Sequence, residues 1–155
     1  MKIRSVSYNN RRKVFEVATS RRRFLLPYAK SDPRPTADDP VREVCIDDEL
    51  GREGFTYLLE SGEEGTVHVD QVLEYNQDTG YMRDLLLYKL TLEAQKRLET
   101  SSLSKREIIR RLGTSPAQFY RLLDQTNYRK SIDKLLHLLH VLECDVDLVV
   151  RARSA

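Results

Sequence analysis

The amino-acid sequence predicts an α+β fold: a small antiparallel β domain over residues 1–76, then a four-helix bundle over residues 77–155 with a short C-terminal strand. Three observations carry this prediction. Before residue 76, apolar and polar residues alternate in short runs, the period of a half-buried strand. After it, apolar residues recur every three or four positions, the period of a helix. The punctuation changes with the period, from Gly, Pro and Asn between runs to Ser and Asp in front of them.

In the first half, residues 3–8, an Asn9-Asn10 turn and residues 14–18 read as a hairpin, which residues 24–26 extend after a second turn at Thr19-Ser20. The loop Asp32-Pro33-Arg34-Pro35-Thr36-Ala37-Asp38-Asp39-Pro40 excludes regular structure, because proline has no N–H to donate. Residues 41–46, 55–59 and 66–69 are strand candidates set apart by Gly51, Gly54, Gly62 and Gly65. Residues 70–75 predict a turn of helix, with 76–80 as the joint to the second half.

In the second half, Asp78 is placed to cap a long helix carrying Leu86, Leu90, Ala94 and Leu98 and running to about Thr100. Ser104 with Glu107 forms a capping box, and Ser115, Pro116 and Gln118 repeat the device. Gly113 stands where the first of these two short helices must stop. Ile108, Leu112, Phe119 and Leu122 are spaced to share one apolar contact, which leaves Lys105, Arg106, Arg110, Arg111, Gln118 and Arg121 facing outward. The pair is a helix-turn-helix. Ser131 caps a further helix over residues 132–142, with Ile132, Leu135, Leu136, Leu139 and Leu142 on its predicted apolar stripe.

Residues 84–151 resemble a lambda-repressor-like (XRE-type) helix-turn-helix domain, especially that of HigA-like antitoxins. The resemblance rests on Arg111-Leu112-Gly113-Thr114-Ser115 at the turn, on Arg121-Leu122-Leu123, and on the run from Ser131 through Leu139. Residues 145–151 resemble the short terminal strand of those proteins. Two positions depart from the pattern: Ile109, where the family usually has a small residue, and Thr114, where it commonly has an aliphatic one. The resemblance implies duplex DNA as partner and leaves the β part unassigned.

A 155-residue chain that is 40% hydrophobic can bury one large or two small cores. It has no long apolar run and no signal-peptide pattern after Met1, and Cys45 and Cys144 read as reduced thiols, so the expectation is a cytoplasmic protein without membrane contact. The net charge of +2 is segregated: residues 1–30 hold nine Lys/Arg and one acid, residues 31–80 three and fourteen, residues 81–130 eleven and five. The basic helical half suits phosphate binding by counterion replacement, although a solvated surface has the same composition. Arg21, Arg22 and Arg23, with Arg11, Arg12 and Lys13, read either as a second phosphate surface or as charges that protect an edge strand.

No enzyme motif is recognisable: there is no glycine-rich phosphate loop, no GxSxG elbow and no distinctive carboxylate pair. His137, His140 and Cys144 fall at i, i+3 and i+7, with His68 or Cys45 to complete a ligand set, but packing histidines are the simpler reading, and neither metal nor cofactor is expected. The helix beginning at Pro116 would enter the major groove and present Ser115, Ala117, Gln118 and Arg121 to base edges. Lys105, Arg106, Tyr128, Arg129 and Lys130 would contact phosphates, the last three beside the amide-rich start of the helix capped by Ser131. One such unit reads few base pairs, so a homodimer is expected, through residues 146–150 or through Leu138 and Val141. Two function classes fit: a dimeric DNA-binding repressor, antitoxin-like and with a toxin as a candidate protein partner, or a protein-interaction module on the same scaffold, for which Phe119 and Tyr120 are the pointers.

Overall fold

A computed structural model describes residues 1–153, which divide into two compact units, one before and one after the boundary between Met82 and Arg83. The division falls inside a helix, six residues after the boundary at 76 read from the composition change.

The first unit holds two antiparallel three-stranded sheets, β1 (Ile3–Asn9), β2 (Val14–Thr19) and β3 (Arg23–Pro27), then β4 (Val41–Ile46), β5 (Gly54–Leu59) and β6 (Glu64–His68), each in sequential order. Alternation sets the faces: Phe15 and Val17 on β2 and Phe55, Tyr57 and Leu59 on β5 are buried. In the β1–β2 turn the Asn9 side chain accepts from the N–H groups of Arg11 and Arg12 at 3.1 and 3.0 Å. Both sheets feed one core, in which the Phe15 ring lies 4.8 to 5.0 Å from those of Tyr28, Phe55 and Tyr57. Between the sheets, Ile3 N–H donates to the Arg52 carbonyl, and the Asn10 amide both donates to and accepts from the backbone of Val41. Helix α1 (Val69–Tyr75) is capped by His68, whose Nδ1 accepts from Asp70 N–H at 3.2 Å while the His68 backbone N–H donates to the Gln71 side-chain oxygen. His68 is thus a helix cap, which explains its place in the sequence without a metal.

Gly65 is needed for close approach, since a Cβ there would fall on the Tyr57 ring. Gly65→Ala is expected to overpack this core and cost about 1–3 kcal/mol, read as a lowered urea midpoint with an unchanged m-value.

The second unit contains most of α2 (Thr79–Thr100), then α3 (Lys105–Leu112), α4 (Pro116–Leu123) and α5 (Ile132–Val141). Asp78 starts α2, its carboxylate accepting from Tyr81 N–H at 3.1 Å. Gly113 ends α3 at φ 66°, in the left-handed region that favours glycine. Ile108, Phe119, Leu122, Leu135 and Leu139 are buried together with Leu87 and Ala94, and Ile109 and Leu112 pack against them.

The predicted architecture needs correction. The β part is two separate three-stranded sheets, α1 brings the α-helices to five where a β domain and a four-helix bundle were expected, and residues 142–153 form no strand among the described residues. Strand propensity in residues 146–150 finds no ladder partner among the described residues, and Leu148 and Val150 are 77% and 84% exposed. The buried faces also differ from the predicted stripes. On α2 Leu87 and Thr91 are buried and Leu86 is exposed, the Thr91 hydroxyl donating to the Leu87 carbonyl at 2.6 Å. On α5 Leu138 and Val141, the predicted dimer contacts, are core residues, whereas Ile132 and Leu136 are exposed.

Candidate nucleic-acid interface

The candidate interface centres on α4. The Ser115 hydroxyl accepts from Gln118 N–H at 3.2 Å and Pro116 opens the first turn, so the start of the helix is fixed by local chemistry. Phe119 and Leu122 anchor the inner face, while Ser115, Ala117, Gln118 and Arg121 are all exposed. Ala117 and Arg121 are four residues apart and Gln118 and Arg121 three, so all three share one side of the helix. Tyr120 stands beside them, 53% exposed, with its ring edge-on to Phe119 and the Lys105 ammonium 5.9 Å from its centroid.

The five expected phosphate contacts separate. Lys105 and Arg106 are exposed in the first turn of α3, and Tyr128 and Arg129 are exposed in the loop before α5. The Tyr128 carbonyl accepts from Arg83, and Arg129 N–H donates to the Asn127 side chain, so hydrogen bonds shape this loop. Lys130 does not belong to the set. It is 8% exposed, and its ammonium donates to the carbonyls of Leu122 and Asp124 at 3.0 and 2.8 Å. It closes the C-terminal end of α4, where orphan carbonyls need donors. Burial lowers its pKa, opposed by the neighbouring Asp124 carboxylate.

Two further features temper the positive charge. Arg110 and Arg111 are exposed but both grip Glu107, so the three groups together carry one net charge. Hydrogen bonds from Arg110 and then Arg111 hold the Glu107 carboxyl down to about 2. A carboxyl lowered in the folded state stabilises it above the unfolded value and stops doing so as pH falls through the folded value. Acid titration from pH 4.5 to 2 should therefore weaken the native protein in part through Glu107, and Glu107→Gln should flatten that part of the melting-temperature profile. At the start of α5 the Ser131 side chain makes no cap bond to the helix backbone, and the pKa of Asp133 is lowered by the neighbouring Ser131 side chain and by first-turn N–H groups. A phosphate there competes with a resident anion.

The other sequence candidates fall apart in space. His137 and His140 are exposed rather than packed, and Cys144 lies beyond the end of α5, its thiol against the Leu142 carbonyl. Arg11 and Arg12 occupy the turn at one end of β2 and Arg21 and Arg22 the turn at the other, so they form no single surface. Arg22 lies 3.5 Å from Asp78 and over the Phe24 ring at 4.7 Å, a structural role at the start of α2. No helix is long and apolar enough to cross a membrane among the described residues. The chain matches no protein-family model, no curated protein and no solved structure.

Proposed function

We propose that the chain is a sequence-specific DNA-binding transcriptional regulator, a cytoplasmic, non-catalytic, dimeric repressor of antitoxin-like type. One observation carries this reading: a twice-capped helix pair with a glycine turn buries Phe119 and Leu122 and leaves Ala117, Gln118 and Arg121 exposed on one side of α4. Such a face fits the major groove, Gln118 toward adenine and Arg121 toward guanine or a phosphate. Lys105, Arg106, Tyr128 and Arg129 supply phosphate contacts, and exposed Ile132 and Leu136 on α5 are available for a twofold contact. Selection from a random-sequence duplex pool at two salt concentrations tests the reading; an enriched inverted repeat supports a dimeric regulator.

Arg129→Ala is expected to weaken all duplexes alike and to reduce the slope of log affinity against log salt by about one. A changed sequence preference would move Arg129 out of the phosphate set.

The exposure of Tyr120 favours a second reading, a protein-interaction module in which this ring seats in a partner, such as a toxin. It predicts no enriched DNA and binding that tolerates salt.

A further inference from the structure

Beside α4 lies a cleft of about 860 Å³, walled by the end of α3, by α4, by the loop before α5 and by the first turns of α5. Its volume is within the range of small-molecule sites, about 300–1,000 Å³. Four cationic side chains line it, Arg121, Arg129, Lys130 and Lys134, against the single carboxylate of Asp124. That carboxylate is engaged, accepting the Thr126 hydroxyl and N–H at 2.7 and 2.9 Å. Arg121, Arg129 and Lys134 form no salt bridge among the described residues. An ammonium has three N–H donors and buried Lys130 uses two on carbonyls, which leaves one without an acceptor among the described residues. Like charges converging on one concave site repel, and a bound polyanion removes that repulsion. The cleft is larger than a phosphate chain alone requires, and Leu112 and Leu122 add an apolar wall.

We propose that this cleft binds a nucleoside polyphosphate, with the phosphates among Arg121, Arg129 and Lys134 and the base against Leu112 and Leu122. Arg–phosphate contacts are bidentate and charge-assisted, so two arginines at one site select multiply charged phosphates over monoanions. Gln118 and Arg121 belong to both the cleft and the α4 face, so an occupied cleft excludes DNA. Ligand binding stands independently of the proposed function; only this exclusion rests on it.

The test uses the full chain in magnesium-free buffer, with ATP and inorganic pyrophosphate as calorimetric probes. Both should bind, ATP at least about tenfold more tightly because its base reaches the apolar wall. Arg129→Ala with Lys134→Ala, two exposed positions whose replacement should not lower the melting temperature, is expected to weaken both probes at least about tenfold. Lys89→Ala with Lys96→Ala, the same charge loss on exposed positions of α2, should leave binding intact. Absence of binding at about 5 mM, or equal losses in the two double variants, overturns the site. Equal affinities for ATP and pyrophosphate overturn the assignment to a nucleoside. ATP bound by a chain that binds no duplex supports the cleft and refutes the DNA reading; duplex bound by a chain that ignores ATP does the reverse.

Discussion

Gln118→Ala combined with Arg121→Ala is expected to abolish discrimination between a selected operator and a scrambled duplex while leaving the fold intact. Each bidentate base contact is worth about 1–3 kcal/mol of discrimination, so the pair accounts for between about 30-fold and four orders of magnitude. Folding is spared for a local reason. The cap on α4 is made by the backbone N–H of residue 118, which alanine retains, and both side chains are exposed at positions where alanine is a good helix former. Residual binding would run through Lys105, Arg106 and Arg129 and fall steeply with salt. Competition between labelled operator and unlabelled scrambled duplex reads the ratio directly; a variant that kept the wild-type ratio would remove α4 as the reading element.

Phe15→Ala is the substitution expected to damage the first unit most. Phe15 is fully buried, and three aromatic rings surround it within 5.0 Å, so truncation removes the contact that joins residues of both sheets. Large-to-small changes of this kind cost about 3–5 kcal/mol, comparable to the whole stability of a small domain. Urea unfolding followed by near-ultraviolet circular dichroism of the tyrosines measures it, and Phe15→Leu, which retains most of the volume, should lose much less. A loss below about 1 kcal/mol would mean that the surrounding rings collapse into the space.

What could be read from the sequence was what local chemistry decides. Helices α3 and α4 begin where Ser104 and Ser115 cap them and α3 ends at Gly113, because caps and left-handed glycines are short-range devices. Each of the six strands has a counterpart in the alternation and turn residues, but Gly54 and Gly65, read as separators, lie inside β5 and β6, and Val69, read as strand, begins α1. Long-range matters were hidden. Leucines surround α5 at 135, 136, 138 and 139, so periodicity could not choose its inner face, and the same holds for Leu85, Leu86 and Leu87 on α2. The separation into two sheets depends on contacts between residues such as Ile3 and Arg52, far apart in the chain. Residues 146–150 have the composition of a strand but pair with no other strand among the described residues. Lys130, next to Arg129, looks like one more surface cation; its burial follows from where the carbonyls at the end of α4 point, and no sequence pattern announces that.

Along α4 the residues that hold the helix and those that face outward are different residues. Phe119 and Leu122 anchor it from beneath and Lys130 closes its far end, while positions 117, 118 and 121 contribute no side-chain support to any of these contacts. The outward positions can therefore be rewritten with little cost in folding, since exposed substitutions away from such anchors stay within about 0.5 kcal/mol. Evolution, or a designer, can exchange the outward text of this helix as a cassette and keep the scaffold that displays it.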